Sequence, residues 1–388
     1  MTAISARFGH PPAVLLRRLL AAALLALAAP AWAQDAVPEE IRLGQSAPLT
    51  GPFAGLGGAN SADAALYFDH VNRQGGVHGR KVRLITLDDA YNPAIAQANV
   101  KQLVERERVF ALFSVNGTPT SLKAMEVSEA AGTPFLFPFS GAAAVRKPSR
   151  LAFHLRASYA EEIERIVEFA AGTGVTRFAI AYLDNAFGKE GLVATEAALA
   201  RHKLVPVATA AIAVANPDLA AVAQALDGGK EKPDVIVVAA AGASVPGIID
   251  AHQRRGRPAQ YYCLSVVSNE QLLQVLGERA RGVVVAQVVP FPWDKRVPLV
   301  REYNALLDAA GRKPSFPGFE GYISAKAFVE ALRRAGPRPT RAALLAALEG
   351  MNGVDLGGVV VSFSDAHHTN ATAIVDLTMV SRGGHFLR

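Results

Sequence analysis

The chain has 388 residues, and 51% of them are hydrophobic, enough to supply the cores of two domains. Its formal net charge is +6, and no basic stretch is interleaved with aromatic residues as a nucleic-acid surface would require. The single cysteine, Cys263, excludes an internal disulfide. It follows Tyr261 and Tyr262 in a strand-like run, which favours a buried structural thiol.

Residues 1–33 have the layout of a secretory signal peptide. Arg7, Arg17 and Arg18 form a basic region, residues 19–29 form an unbroken apolar run, and residues 31–33 give a small-x-small cleavage site. The run is shorter than the roughly 20 residues of a membrane-spanning helix. We therefore expect cleavage after residue 33 and a soluble periplasmic protein that is not membrane-embedded; a retained amphipathic anchor is the alternative. Removing this segment leaves a net charge of +3, because it carries three arginines and no acid.

Strands and helices are predicted to alternate from residue 41 onward. The predicted strands are 41–44, 81–87, 109–114, 134–138, 177–183, 233–240 and 282–287. The predicted helices are 59–71, 93–106, 121–131, 160–171, 191–202 and 245–255. Asn92 and Pro93 suit the N-cap and first position of the second helix. Apolar strands separated by amphipathic helices indicate an α/β fold with parallel sheets covered on both faces.

Sequence motifs typical of enzymes are missing from the chain. It contains no Gly-x-Ser-x-Gly, Walker-type, His-Glu-x-x-His or Cys-x-x-Cys pattern. Residues 55–60 begin like a dinucleotide-binding loop but lack its last glycine, so a flexible loop is the better interpretation. His367 and His368 could pair on a metal, but without a third ligand nearby a solvated turn is favoured. We expect no enzymatic activity, no metal and no cofactor.

Several short segments resemble, in the same order, those of the leucine/isoleucine/valine-type periplasmic binding proteins, the solute-capturing subunits of ABC importers. The matching segments are 44–52, 72–81, 88–93, 117–120, 138–142, 155–159 and 185–191. Each segment alone is a weak signal, but their order and spacing together are specific, and the resemblance covers nearly all of residues 41–388.

The resemblance implies the type I periplasmic binding fold, with two doubly wound parallel-sheet lobes joined by three hinge crossings. We expect these crossings near Ala157, Pro290 and Gly357. Lobe one then comprises residues 34–157 and 291–357, and lobe two comprises residues 158–290 and 358–388. The resemblance also implies a monomer that captures a small carboxylate by hinge closure and delivers it to ABC importer permease subunits.

The loops after two neighbouring strands are candidates for holding a carboxylate. Residues 117–121 lie between an apolar strand and a helix, and residues 140–142 follow the next strand. Ligands bind beyond the carboxyl ends of strands in such sheets, and the free N–H groups at a helix start attract anions. The alternative is that Thr118 and Ser121 only cap the helix and that Gly141 only permits a turn.

The family's site residues can be matched to positions of this chain one at a time. Thr118 matches a carboxylate-binding hydroxyl, Phe139 and Gly141 match main-chain contacts, and Phe187 matches an aromatic residue that closes over the ligand. The implied ligand-binding residues are Thr118, Phe139, Ser140, Gly141, Tyr159 and Phe187, with Thr120, Ser121, Ala241, Val266 and Glu320 as further candidates.

The chain departs from the family's amino-acid binders where they hold the α-ammonium group. Gly141 lacks their hydroxyl, Val266 replaces their acid, and Ala241 replaces an aromatic residue of lobe two. Glu320 could replace the missing acid, since residues 319–322 look like a helix start, although an acid there is otherwise only a favourable cap.

The expected ligand is therefore a small carboxylate, either an amino acid of the branched-chain type or a related organic or aromatic acid. A ligand-sensing or regulatory binding module of the same fold is the alternative. An exported enzyme is a more remote third possibility, because no nucleophile–base pair or metal cluster is visible.

Overall fold

The structure is a computed structural model that describes residues 40–257 and 259–388. The predicted signal peptide, its cleavage site and the alternative of a retained anchor lie outside the described residues. No helix among the described residues is long and apolar enough to cross a membrane.

The described chain alternates strands and helices, as the sequence predicts. The strands are β1 Glu40–Ala47, β2 Lys81–Asp88, β3 Ala111–Phe113, β4 Phe135–Leu136, β5 Ala152–Phe153, β6 Phe178–Leu183, β7 Ala208–Ile212, β8 Val235–Ala239, β9 Gln260–Cys263, β10 Val284–Gln287, β11 Val354–Asp355, β12 Val360–Val361, β13 Asp376–Val380 and β14 Phe386–Leu387. The helices are α1 Ala54–Arg73, α2 Pro93–Glu105, α3 Thr118–Ala130, α4 Tyr159–Gly172, α5 Ala186–Arg201, α6 Leu219–Leu226, α7 Ser244–Gln253, α8 Asn269–Leu276, α9 Pro298–Ala309, α10 Phe316–Arg334 and α11 Arg341–Glu349.

Two larger sheets organise the fold. The first has the order β2-β1-β3-β4-β5, and all of its neighbouring strands are parallel. The second has the order β14-β13-β10-β9-β8-β6-β7, with β13 and β14 running antiparallel to their neighbours. In the first sheet, β2 lies on one side of β1 and the later strands lie on the other side. In the second sheet, β7 lies on one side of β6 and the later strands lie on the other. The strand order therefore reverses between β1 and β3 and between β6 and β8. This is the doubly wound α/β arrangement expected from the sequence.

Helix caps account for several of the observed boundaries. The side chain of Asn92 accepts hydrogen bonds from Ala94 N and Ile95 N, and Pro93 begins α2, which confirms the predicted start. Asn185 accepts from Gly188 N at 3.0 Å and starts α5 at Ala186, five residues before the predicted start.

The helix that carries Glu320 begins earlier than the sequence suggested. Ser315 caps α10 by accepting a hydrogen bond from Gly318 N at 3.1 Å, and the helix starts at Phe316. Glu320 therefore lies in the second turn of α10. The prediction that residues 319–322 begin this helix is wrong, because the capping hydroxyl lies upstream of them.

The third passage between the sheets also differs from its predicted position. Gly357 lies in the turn of the β11–β12 hairpin, where its φ of +107° favours glycine. The chain then stays beside the first sheet: the ring of Phe363 packs edge-on against Phe153 at 5.3 Å, and Asn370 N donates to His154 O at 2.8 Å. These contacts hold the segment from β12 to Asn370 against β5. The passage to the second sheet therefore lies between Asn370 and the start of β13.

Large buried side chains pack beside both sheets, and one aromatic contact links elements of the two. Phe68, Phe113 and Phe328 meet edge-to-face in the core beside the first sheet. Cys263 is fully buried in β9, as the sequence predicted. A separate aromatic contact joins elements of the two sheets: Trp293 lies 5.5 Å from Phe316 on α10 and 6.5 Å from Phe386 on β14, measured between ring centroids.

Candidate functional site

A small pocket with a free volume of about 20 Å³ lies where the carboxyl ends of strands from the two sheets face each other. Its lining comprises Pro48, Phe53, Leu56, Tyr91, Asn116, Gly117, Phe139, Tyr159, Phe187, Ala241 and Val266. Pro48 follows β1, Gly117 follows β3, Phe187 follows β6 and Ala241 follows β8. The pocket therefore lies at the point in each sheet where the strand order reverses, which is the usual ligand position in doubly wound folds.

Two hydrogen bonds join segments of the two sheets near this pocket. Ala243 N, at the start of α7, donates to Pro52 O, in the loop after β1, at 3.0 Å. Ala143 N donates to Glu190 Oε1 on α5 at 2.6 Å. Segments that follow strands of different sheets are thus in direct contact, and the structure describes a closed cleft.

The loops after β3 and β4 lie side by side, as the sequence predicted. Gly117 N donates to Phe139 O at 3.1 Å, and Phe139 N donates to Val115 O at 2.9 Å. This pairing brings Thr118 and Ser140 together, with their hydroxyl oxygens 2.9 Å apart and both side chains fully buried. Neither side chain is part of the pocket lining, so both lie directly behind it.

The hydroxyls of Thr120 and Ser121 are used within the same loop. The Thr120 hydroxyl donates to the carbonyls of Asn116 and Gly117, and the Ser121 hydroxyl donates to Val115 O at 3.3 Å. Both residues are buried and outside the pocket lining. Their observed contacts tie the loop to the start of α3. Neither Thr118 nor Ser121 caps this helix, because its N-cap is Gly117 and no side chain accepts a capping hydrogen bond there.

Gly141 supports the pocket without bordering it. Its carbonyl accepts a hydrogen bond from Tyr159 N at 2.9 Å. A Cβ atom at this position would lie 2.8 Å from Tyr159 N and 2.9 Å from Tyr159 Cδ1, both shorter than real contacts. The close approach of the chain before α4 therefore leaves no room for the hydroxyl that the family's amino-acid binders carry here.

Five aromatic residues line the pocket. Tyr159 and Phe187, both predicted site residues, meet edge-to-face with their centroids 4.8 Å apart. Tyr91 stacks on Phe53 at 3.9 Å. A Cβ on Gly117 would lie 2.5 Å from the Tyr91 ring, so glycine lets this ring approach the loop. The pKa of Tyr91 is raised, chiefly by burial and further by Tyr159, which keeps its hydroxyl neutral.

Five lining residues were missed by the sequence analysis: Pro48, Phe53, Leu56, Tyr91 and Asn116. Most of them could have been predicted from their position, because they lie in the loops after β1, β2 and β3, at the carboxyl ends of strands. Tyr91 also belongs to the Asp-Asp segment that carried the family resemblance. Conversely, Ala241 and Val266 line the pocket as expected, and they present only small or branched apolar groups there.

Asn116 is the pocket residue with an unused polar atom. Its Nδ2 donates to Ser114 O at 2.6 Å. Its Oδ1 is buried and has no hydrogen-bond partner among the described residues. One acceptor on a residue of the pocket lining is therefore unused in this structure.

Glu320 lies outside the pocket, in a buried charged cluster behind its aromatic wall. The guanidinium carbon of Arg156 is 5.1 Å from the Phe139 ring centroid and 5.3 Å from that of Tyr159. Arg156 Nη2 is 3.0 Å from Glu162 Oε1, and Nη1 is 3.4 Å from Glu320 Oε1. Burial raises the pKa of Glu320 to about 7, with Arg156 opposing this shift. The structure thus gives Glu320 neither of its two expected roles, because α10 directs it to Arg156.

No charged side chain lines the pocket. Among residues 40–257 and 259–388, no three His, Cys, Asp or Glu side chains are arranged to hold a metal ion. His368 instead stacks on Phe153 at 4.0 Å and lies 3.2 Å from Glu349 Oε1. It is therefore more enclosed than the solvated turn expected from the sequence.

Comparisons with known proteins agree with this architecture. The family model described as "Periplasmic binding protein" matches residues 40–384. The crystal structure of a substrate-binding periplasmic protein from Ralstonia solanacearum is 31% identical, covers 89% of this chain and 99% of that chain, and has a TM-score of 0.84. The structure of a possible leucine/isoleucine/valine-binding protein from Rhodopirellula baltica SH 1 is 27% identical, covers 92% and 98% of the two chains, and has a TM-score of 0.85.

A curated relative matches over a shorter region. The Leu/Ile/Val-binding protein homolog 7 of Brucella suis biovar 1 (strain 1330) is 36% identical over 118 residues. The match spans 30% of this chain and 28% of that relative. The family model and the structural similarity extend over most of the described chain, and from them we conclude that the chain belongs to the periplasmic binding protein family, as a type I member of the leucine/isoleucine/valine-binding type.

Proposed function

We propose that the protein captures a small carboxylic acid with an apolar or aromatic body and delivers it to the permease subunits of an ABC importer. The observation that carries this proposal is the lining of the pocket, which is aromatic and aliphatic and contains no charged side chain. The family is periplasmic, which agrees with the predicted export of the chain.

The carboxylate is assigned to the paired loops after β3 and β4. When two hydroxyls bond to each other, one donates and the other keeps its own hydrogen. The Thr118–Ser140 pair can thus offer one hydrogen to a carboxylate, next to the first N–H groups of α3. A modest adjustment of Gly117 and Phe139, which lie between the pair and the pocket, would bring the carboxylate within reach.

The rest of the pocket favours a ligand without an α-ammonium group. An ammonium needs a carboxylate or several acceptors, since burying an unpaired charge is very unfavourable. Val266 and Ala241 supply no acceptor side chain, and Glu320 is engaged by Arg156. Asn116 Oδ1 can serve one neutral donor, such as a hydroxyl on the ligand.

The proposal is tested by identifying the ligand and then comparing the binding of acids that differ only in an α-amino group. Mass spectrometry of the purified protein under native conditions should find a co-purifying carboxylic acid. A thermal-shift and calorimetry screen should then compare 3-phenylpropanoate with phenylalanine and 4-methylpentanoate with leucine. We expect the acid without the amine to bind at least about tenfold more tightly in each pair, equal to about 1.4 kcal/mol. Equal or tighter binding of both amino acids would contradict the assignment.

Transport is tested separately from binding. A strain that lacks this protein should take up the identified ligand more slowly, and the wild-type chain should restore uptake. The ligand should also be recovered chemically unaltered after incubation with the protein, as a binding protein requires. Conversion of the ligand that is lost on mutating a pocket residue would argue for an enzyme instead.

A further inference from the structure

A second cavity, of about 410 Å³, lies beside β5, away from the aromatic pocket. It is formed by the segment 146–154 and the segment 365–369. Its lining carries the cations Arg146, Lys147 and Arg150 together with His154, His367 and His368, against one acid, Asp365. None of these residues takes part in the ligand site described above.

Three nitrogens of this lining are buried and lack hydrogen-bond partners. They are Arg146 Nη1, His154 Nδ1 and His368 Nδ1. His154 itself is 3% exposed. Buried polar atoms in native proteins are nearly always paired, so three unpaired nitrogens on residues that line one cavity indicate that a water, an ion or another polar group completes their hydrogen bonding.

The surrounding contacts favour an anion as that group. Arg146 cannot lose its charge under ordinary conditions, so Nη1 is a donor. Glu349 Oε1 lies 3.2 Å from His368 Nε2, the ring nitrogen that is not among the three unpaired ones. Burial, together with Arg146 and His368, lowers the pKa of His154 to about 3, as expected in a region of positive potential. A neutral His154 still has one N–H group.

We propose that this cavity binds a small oxyanion with more than one negative charge, of the phosphate or sulfate class. Arg146 would be its central ligand, with the two histidines and the exposed cations Lys147 and Arg150 around it. The same chemistry is found in free inorganic anions and in the phosphate of a lipid headgroup, and the experiment below separates the two sources.

Occupation of this cavity would bear on the aromatic pocket through Arg146. Its Nη2 donates to Arg156 O at 2.8 Å and to Ala157 O at 3.0 Å, immediately before α4. A bound anion would therefore fix a side chain that already supports the chain leading to Tyr159.

The test is calorimetric titration of the full mature chain with inorganic phosphate and with sulfate at low ionic strength. We expect saturable binding of one anion per chain. The double variant Lys147→Gln/Arg150→Gln changes two exposed residues and should leave the fold intact, and His154→Gln removes the buried imidazole. Each should weaken binding about tenfold or more.

A matched control is the double variant Lys101→Gln/Arg106→Gln, which removes two exposed cations from the region of α2. It should bind phosphate as the wild type does. Equal weakening in this control would show a general effect of net charge and would overturn the proposal.

The lipid source is tested by sedimentation with phosphatidylglycerol vesicles and with phosphatidylcholine vesicles. Binding to the anionic vesicles alone, lost in Lys147→Gln/Arg150→Gln but kept in the control, would assign the site to a headgroup phosphate. If the wild-type protein binds neither the free anions nor these vesicles, the cavity is not an oxyanion site.

Discussion

The hydroxyl groups of Thr118 and Ser140 are hydrogen-bonded to each other at 2.9 Å across two loops that follow neighbouring parallel strands. The two residues are 22 positions apart in the chain. Their contact depends on the pairing of β3 with β4, which places both loops at the same edge of the sheet. The pairing of β3 with β4 thus brings together the two hydroxyl groups that are proposed to bind the carboxylate of the ligand.

Replacing Thr118 by valine should weaken binding of the identified ligand by about 1.5–3 kcal/mol, the scale of a hydrogen bond to a charged group. Valine keeps the shape of the side chain, so the fold should survive. A double-mutant cycle with Ser140→Ala should show coupling of about 0.5–3 kcal/mol in the binding free energy, because the two hydroxyls act together. Calorimetry measures both quantities, and an unchanged affinity in Thr118→Val would remove this residue from the site.

A Gly141→Ala variant should lose stability and bind the ligand less well. Its new methyl group would lie 2.8 Å from Tyr159 N, and the main chain must shift to relieve this contact. Overpacking of this kind costs about 1–3 kcal/mol. Gly172→Ala, at the end of α4, is the control: nothing lies within 4 Å of its added Cβ. Denaturant unfolding should show a loss in the first variant only; similar free energies of unfolding for both would contradict the predicted contact.

Closure of the cleft should depend on Phe187. Ligand binding shifts a two-state protein only through its preference for one state, and the Phe187 ring packs against Tyr159 at the pocket wall. Solution scattering should show a smaller radius of gyration when ligand is added to the wild type, and a smaller change for Phe187→Ala. Phe187→Leu, which keeps most of the volume, should behave more like the wild type. The hinge mechanism fails if saturating ligand leaves the wild-type scattering curve unchanged.

Stability should depend on pH through Glu320. Burial raises the pKa of this group in the folded state from 4.5 to about 7. Its favourable contribution is therefore complete below pH 4.5 and is lost as the pH rises through about 7, because the unfolded chain ionises first. Between pH 5 and pH 8, the wild type should lose about 1–3 kcal/mol of unfolding free energy relative to Glu320→Gln. Urea unfolding at several pH values measures this difference, with Glu330→Gln on the same helix as the control. If the unfolding free energies of the wild type and Glu320→Gln change in parallel with pH, the raised pKa of Glu320 is refuted.

Features determined by local chemistry were predictable from the sequence. Asn92 and Pro93 indicated a helix start, because asparagine caps free N–H groups and proline needs no donor at the first helical position. The apolar strands indicated parallel sheets. The proximity of the Thr118 and Ser140 loops was also predictable, because residues after adjacent parallel strands share one edge of the sheet.

Features determined by distant packing were not predictable. The third crossing was expected near Gly357, but the contact of Phe363 with Phe153 keeps the chain beside the first sheet past that residue. The position of Glu320 opposite Arg156 depends on how α10 packs in three dimensions, and no local pattern encodes that distance. For the same reason, the sequence could not show that Arg156 lies behind the rings of Phe139 and Tyr159.

The aromatic contact around Trp293 has a practical consequence. The chain contains two tryptophans, and the other, Trp32, belongs to the predicted signal peptide. The exported protein would then carry a single indole, in contact with Phe316 on a helix beside one sheet and with Phe386 on a strand of the other. Its intrinsic fluorescence would report on the separation of the two halves without any added dye.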